Sequence, residues 1–417
     1  MGRNAGRSCS NGEMPFACYL GRQPSIAYNP EMNEQAKKKS KIRSRWWLKY
    51  SLRTFLLAVT VFCIWLGVLV NRANNQKRAV AWVHEQEGEL YYDFQWDESK
   101  RLIEDAEPPG PSWLRNWIGI DYFADVVYVR VSGDHDIDIA PLANLTDIRN
   151  LYLENVSDLS ALAGMTEMRD LSFSSAQVTD LSPLARMKRM QRLLLPNSQV
   201  SDISPLAGMK RLQVLHLDGS QASDLSSLSG MTELSYLHLD RSHVSDLSSL
   251  ADVKKIQGLF LSNTQVVDLS PLAGITGMQH LDLSGTQVSD LSPLANITGM
   301  KSLDLSKTAV SDVSALALMS QMESLNLGDT NVSDLAPLTG MTRLESLVLC
   351  NLTLRDLSPL TQMTALAFLD LRGMSQWDLT PLAKLKRMQI WLYENQQATI
   401  PAEFRSHVHR FGISRQN

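Results

Sequence analysis

Cysteine is scarce in this 417-residue chain. Cys9, Cys18, Cys63 and Cys350 are scattered, with no C-x-x-C and no close pair, so neither a disulfide framework nor a zinc site can be built from them. Cys350, alone in the repetitive part, reads as a structural thiol. The sequence also lacks a P-loop, G-x-S-x-G, H-E-x-x-H or G-x-G-x-x-G, which removes the enzyme classes those motifs mark. No enzymatic activity, cofactor or resident metal is expected, and no nucleic-acid partner. The net charge of −4 is small but uneven: residues 1–53 carry eleven Lys/Arg against three Asp/Glu, so a head of +8 precedes a body of −12.

One hydrophobic run stands out. Residues 55–70, "FLLAVTVFCIWLGVLV", are sixteen residues without charge, covering about 24 Å of a hydrocarbon core of roughly 30 Å. Leu48 to Val70 becomes long enough if Lys49 and Arg53 snorkel outward, with Trp46, Trp47 and Tyr50 at the interface. A transmembrane helix in contact with the lipid bilayer is therefore expected over residues 46–71. The alternative, a cleaved signal peptide, has only Ala79-Val80-Ala81 as a cleavage site, beyond Arg72, Lys77 and Arg78. Eight Lys/Arg between Lys37 and Arg53 precede the span and three follow it, which predicts a single-pass protein with a cytoplasmic N-terminus and its body outside the cytoplasm. Residues 1–45 read as a basic tail, disordered over 1–31. Gly2 fails the myristoylation pattern because position 6 is Gly. Met32 would itself make a compact start before the anchor, a hypothesis that N-terminal mass spectrometry decides.

Residues 72–125 read as a juxtamembrane helix and solenoid cap: a helix over 72–87 ending at Gly88, a strand in "ELYYDFQW", the break "PPGP", and a short helix begun by Ser112. Residues 126–395 then repeat one phrase, an apolar residue, two variable ones, L-x-L, and V-S-D-L-S-P-L-A-G-M. The pairs run from Val129/Val131 to a degenerate Trp391/Tyr393, thirteen strands joined by twelve return segments. Alternation within L-x-L buries every second side chain of a short strand, and stacked copies make a parallel sheet that no single repeat could form. The expected fold is an α/β-type solenoid, an arc with a concave parallel sheet and short 3-10 turns on the convex side, with 396–417 as a terminal cap or tail. The Asp138-to-Asp158 spacing is twenty residues rather than 22, so a local irregularity is expected there.

A carboxylate recurs every 22 residues: Asp158, Asp180, Asp202, Asp224, Asp246, Asp268, Asp290, Asp312, Asp334, Asp356 and Asp378. Each stands just ahead of an outer turn, where it can accept backbone N–H groups while the following Pro needs no partner. Eight of the twelve return segments keep that Pro; Ala161, Ser227, Ser249 and Ala315 replace it. Gly208, Gly274, Asn296 and Gly340 are expected to take the left-handed conformation as the chain turns back. A calcium ladder is the functional alternative, but one Asp per 22 residues with no glycine-rich nonapeptide offers too few oxygens for a six- to eight-ligand ion.

The units L-x-x-L-x-L-x-x-T-x-V-x-D-L-S-P-L-A-x-M resemble the 22-residue leucine-rich repeats of internalins, bacterial surface proteins that bind host receptors. The resemblance covers about residues 126–395 and implies a leucine-rich repeat horseshoe. The family's interior Asn is here Ser198, Ser220, Ser242, Thr264, Thr286, Thr308 and Thr330, with Ala176 and Leu352 at two sites, so only part of the amide ladder is expected. "SLRTFLLAVTVFCIWLG", "RAVAWVHEQEGELYYDFQW" and "PPGPSWLRNWIGIDYFADVVYVRV" are similar to the N-terminal region of membrane-anchored leucine-rich repeat proteins of planctomycete bacteria. That likeness implies an architecture and no activity.

Function is expected in the side chains that flank the inward leucines, which differ from repeat to repeat. His216, Tyr236, His238, Phe260, His280, Asp282 and Asp304 form a mixed patch suited to a basic or amphipathic protein or peptide segment. They could equally be ordinary exposed residues. His216 and His238, with Asp218 and Asp240 two residues on, have donors suited to a divalent metal, but duplication of "LHLD" produces the same pattern. The leading expectation is a membrane-tethered recognition module, the alternative a structural envelope scaffold, and a metal-dependent hydrolase a distant third.

Overall fold

The computed structural model describes residues 30–97, 101–103, 105–174, 177–374, 378–385, 388–393 and 408–411, with side chains from residue 52 onward except those of 383, 384, 410 and 411. Residues 1–29, the side chains of Trp46, Trp47, Lys49 and Tyr50, Ala176, and all of the terminal segment except 408–411 lie outside it. The chain forms two compact units, residues 1–68 and 69–417. In the first, helix α1 (Pro30–Glu85) passes through the apolar run, and Phe55, Leu57, Phe62, Ile64 and Trp65 are all exposed. By length and composition its stretch from Leu52 is apolar enough to cross a membrane. Thr60 donates its hydroxyl to the Leu56 carbonyl at 2.8 Å, so the polar group in the run has a partner within the helix.

The second unit is an open solenoid. β1 (Glu89–Tyr92) runs antiparallel to β2 (Val126–Val131), followed in parallel by β3 (Asn150–Glu154) and β4 (Asp170–Ser174). Nine three-residue strands continue the stack: β5 (Arg192–Leu194), β6 (Val214–His216), β7 (Tyr236–His238), β8 (Gly258–Phe260), β9 (His280–Asp282), β10 (Ser302–Asp304), β11 (Ser324–Asn326), β12 (Ser346–Val348) and β13 (Phe368–Asp370). β14 (Gln389–Tyr393) and β15 (Val408–Phe411) close it. All lie in sequence order in one sheet, and neighbours from β5 to β13 pair residue for residue at a 22-residue offset. Thirteen repeat strands were expected and are present, but in the last the inward pair is Ile390/Leu392 and not Trp391/Tyr393, one residue out of the expected register; β15 adds an edge strand from beyond the repeats.

Each coil is built the same way. In the β9 coil Leu281 and Leu283 point inward and are buried with Val288, Leu291, Leu294, Ile297 and Met300, a column continuous along the unit. Burying one such side chain contributes about 1.5–3 kcal/mol. Outside, Ser292–Leu294 forms one 3-10 turn with Pro at its second position, closed by Leu294 N–H on the Leu291 carbonyl at 2.9 Å. Asp290 accepts the Ser292 N–H on Oδ1 at 2.8 Å and its hydroxyl on Oδ2 at 2.9 Å. All eleven aspartates of the series accept the N–H two residues ahead, at 2.7 to 2.9 Å.

The left-handed corner is not where the glycine column suggested. Gly208, Gly274, Asn296 and Gly340 do not take positive φ; the outer turn continues with right-handed residues, and Gly208 and Gly340 lie inside five-residue 3-10 helices. Gly230 alone in that column is left-handed, after an extended Ser229. The sharp corner instead falls two residues after each inward leucine pair, at Asn197, Gly219, Arg241, Asn263, Gly285, Lys307, Asp329, Asn351 and Gly373. Three-residue strands must leave the sheet within two residues, and a left-handed residue does this while keeping its N–H on the next coil, as Gly285 does to the Ser306 carbonyl at 2.8 Å. The twenty-residue unit loses its two residues here, between Leu153 and Asp158, and β3 pairs with β4 over five residues.

Interior hydroxyls make no ladder between coils. Thr264, Thr286, Thr308 and Thr330 each donate back to the carbonyl three residues earlier, at 2.6 to 2.7 Å, and Ser198 and Ser242 are buried without a partner. A hydroxyl reaches its own coil but not the next, where an amide could span both.

At the N-terminal end the tail of α1 covers the first coil with Ala79 and Val83. Gln76 donates to the Ala124 carbonyl at 2.7 Å and accepts the Val126 N–H at 3.2 Å, while Arg72 pairs with Asp125 and Asp147 at 2.7 and 2.8 Å. The helix ends through a left-handed Glu87, with Gly88 N–H on the Val83 carbonyl. Gly88 is needed for closeness instead: a Cβ there would stand 2.7 Å from the Arg130 carbonyl. Ser112 begins helix α2 (Ser112–Ile118) as its first residue, without a side-chain cap.

Candidate functional site

Because register is fixed at 22 residues, one column of outward positions reads Leu194, His216, His238, Phe260, Asp282, Asp304 and Asn326, and the column two residues earlier reads Arg192, Val214, Tyr236, Gly258, His280, Ser302 and Ser324. The seven candidate residues all fall in these columns and are half-buried. His216, His238 and Phe260 form a continuous stack, with centroids 3.6 Å apart between the imidazoles and 4.1 Å from His238 to Phe260. Tyr236 lies flat over Gly258, where an added Cβ would meet its ring at 2.6 Å and the Phe260 ring at 3.1 Å. Its hydroxyl is 3.5 Å from Gln257 Oε1. The missing side chain at Gly258 thus lets the aromatic surface of β7 and β8 lie flat. A glycine in an outward strand position was visible in the sequence, but its meaning depends on the neighbour.

Asp282 and Asp304 have another role as well. Asp282 Oδ1 accepts the Ser284 N–H at 2.9 Å, and Asp304 takes the Ser306 N–H and hydroxyl on Oδ1 and the Asn326 amide on Oδ2. Both carboxylates brace the strand exit. His280 makes no ring contact or hydrogen bond with the stack among the described residues. The structure therefore brings four of the seven into one aromatic surface and sets the two acids beside it as turn supports.

Burial governs the electrostatics. It lowers the proton affinity of His216, helped by the neighbouring His238, and lowers that of His238 against the pull of Asp240. It raises the Asp218 carboxyl, with Asp240 adding repulsion, and raises Asp282 despite the hydrogen bond from Ser284. The two imidazoles are thus neutral near pH 7. Donor atoms of His216, Asp218 and His238 lie within 4.8 Å of one another, the arrangement on this face best able to hold a metal.

A second aromatic group was not anticipated. Tyr91 on β1 and Trp96 join Tyr128 on β2 and Tyr152 on β3, with centroids 5.2 Å from Tyr91 to Tyr128, 6.0 Å from Trp96 to Tyr128 and 5.3 Å from Tyr128 to Tyr152. Tyr128 and Tyr152 were legible as outward repeat residues. Tyr91 and Trp96 come from the cap, and only the antiparallel pairing of β1 brings them there.

The family model for leucine-rich repeats in two copies matches residues 254–296. Comparison with curated protein sequences gives no match. Among solved structures the chain is similar to an internalin of Listeria monocytogenes, with 27% identity and a TM-score of 0.64 over 70% of this chain and 91% of that one. It is also similar to a leucine-rich repeat protein of Leptospira interrogans (15% identity, TM-score 0.58, 72% and 84% of the two chains). A third is the ectodomain of a plant membrane receptor kinase of Arabidopsis thaliana in complex with Casparian strip integrity factor 2 (19%, TM-score 0.52, 63% and 38%). The resemblance to internalin-type repeats read from the sequence is thus matched in three dimensions. The chain is a leucine-rich repeat solenoid.

Proposed function

We propose that this protein is a membrane-anchored recognition module whose sheet face binds a protein or peptide outside the cytoplasm. The binding patch comprises His216, Tyr236, His238, Phe260, His280, Asp282 and Asp304. The observation that carries the reading is the unbroken stack of His216, His238 and Phe260 beside Tyr236, held on rigid strands and half open to solvent. Large aromatic groups that lose little freedom on contact are the side chains that dominate protein interfaces. Asp282 and Asp304 favour a partner segment that is basic or amphipathic.

Residues 46–71 serve as the anchor, with 1–45 on the cytoplasmic side, 72–125 as juxtamembrane helix and cap, 126–395 as the repeats and 396–417 as the end. The exposed apolar face of α1 and the +8 charge that precedes it support this orientation. The similar receptor ectodomain is in complex with a protein factor, which agrees with the binding role. In a pull-down with the full chain in detergent, Tyr236→Ala/Phe260→Ala should lose at least ten-fold of the protein captured by wild type, at unchanged melting temperature. Equal recovery by both would sink the patch and leave the solenoid as a spacer in the envelope.

A further inference from the structure

We propose that His216, Asp218 and His238 form a binding site for a divalent transition metal of the zinc class. The proposal is independent of the partner-binding reading and stands or falls on metal binding alone. His216 and His238 are register partners on β6 and β7, so the sheet itself sets their backbones side by side. One donor atom from each imidazole and one from the Asp218 carboxylate lie within 4.8 Å of one another. Tetrahedral ligands about 2.0–2.1 Å from zinc are roughly 3.4 Å apart, so on binding the donors close up and the two imidazoles turn their edges out of the 3.6 Å stack toward the ion.

The donors are held and unspent. Phe260 stacks on His238 at 4.1 Å and 12°, fixing that ring from the side opposite His216. Asp218 is held by its own corner: its carbonyl accepts the Asn197 N–H at 2.6 Å and its Oδ1 accepts the Asp240 N–H at 3.2 Å. Among the described residues its Oδ2 receives no protein hydrogen bond, and neither imidazole makes one. Asp240, whose Oδ1 is used by the Ser262 N–H at 2.7 Å, adds a second negative charge beside the site. Two carboxylates therefore balance a doubly charged ion.

The donor set chooses the metal. Two imidazoles and one carboxylate suit zinc, nickel or copper, whereas calcium wants six to eight oxygens and magnesium a nearly complete oxygen octahedron. Three protein ligands on a solvent-facing sheet leave a coordination position open for water or for a donor from another molecule. The repeat wording accounts for how "LHLD" arose twice in succession; the adjacent register and the Phe260 clamp make the two copies one site.

The test uses the untagged full chain in detergent, stripped with EDTA and moved to chelator-free buffer, then titrated with zinc chloride against a chromophoric competitor. One equivalent should bind saturably. His216→Ala, His238→Ala and the conservative Asp218→Asn should each weaken binding at least ten-fold, while His243→Ala, an exposed histidine outside the patch, should leave it unchanged. Cobalt(II) in place of zinc should give visible bands of a four-coordinate nitrogen and oxygen site that vanish in His238→Ala. Absence of a saturable equivalent, wild-type affinity in Asp218→Asn and His238→Ala with unchanged melting, or an equal loss in His243→Ala would each overturn the site.

Discussion

Asp290 holds two hydrogen bonds from one neighbour, Ser292, and both lie within its own coil. Its carboxylate therefore acts on the turn and on nothing across the sheet. Asp290→Ala leaves the Ser292 N–H unpaired at the start of a 3-10 turn and should cost about 1 kcal/mol, as other lost caps do. A calorimetric melt checks this, and partner capture should be unchanged; lost capture with an unchanged melt would make the aspartates functional after all. Gly258 shows the same dependence on place in the opposite sense. It has no chemistry of its own, yet any side chain there would lift Tyr236 off the face.

The most consequential element is the last part of α1, residues 69–85, which ends the solenoid by burial and by hydrogen bonding together. An exposed first coil would leave Val126 and Val129 in water and the β2 backbone unpaired. β1 supplies the backbone partners and Gln76 bridges the turn before β2. Gln76→Leu keeps the volume but strands a buried N–H and a carbonyl, which should destabilise the unit by roughly 2 kcal/mol. Denaturant unfolding followed by Trp fluorescence measures it, and a loss below a few tenths would show that the clasp is dispensable. Helix and sheet here were legible as separate elements in the sequence. Their contact was not, because Gln76 and Val126 are fifty residues apart and no pattern links them.

At the scale of the whole solenoid, repetition turns small local effects into collective ones. Hydrogen bonds from the serine two residues on hold Asp180, Asp202, Asp246 and Asp312 below the ordinary carboxyl value of 3.8, chiefly through its N–H. In Asp268, Asp356 and Asp378 the hydroxyl of Ser270, Ser358 or Thr380 leads. An unfolded chain takes up these protons first, so the stabilisation is present above pH 3.8 and is lost as pH falls through the lower folded values. His216 and His238 are also depressed, from 6.5, and their contribution is lost earlier, as pH falls below that value. The raised carboxyls of Asp218, Asp282 and Asp125 work in the opposite sense above 3.8 and separate the two falls. Melting temperature in EDTA should therefore drop in two stages, and His216→Gln/His238→Gln should remove the first. A flat profile from pH 7 to pH 5 in wild type would contradict it.

The fixed repeat determined most of the architecture without any structure: strand register, the inward leucines, the outer 3-10 turns and the column of capping aspartates all follow from a period that is local and written in full in each copy. It also placed the candidate binding residues in two outward columns, since in a parallel stack a 22-residue offset and spatial adjacency are the same thing. What it could not place was anything set by a corner or by a neighbour. The left-handed residue sits where the short strand must bend, at Asn263, Gly285 and Lys307 rather than at Gly274, because strain depends on the path of the backbone and not on which residue is most permissive. Tyr91 and Trp96 reach Tyr128 only through an antiparallel strand outside the repeat. The convergence of His216, Asp218 and His238 was likewise decided by tertiary structure. The sequence put His216 and His238 on adjacent strands and Asp218 two residues past the first, whereas only the folded coils bring their donor atoms within 4.8 Å of one another.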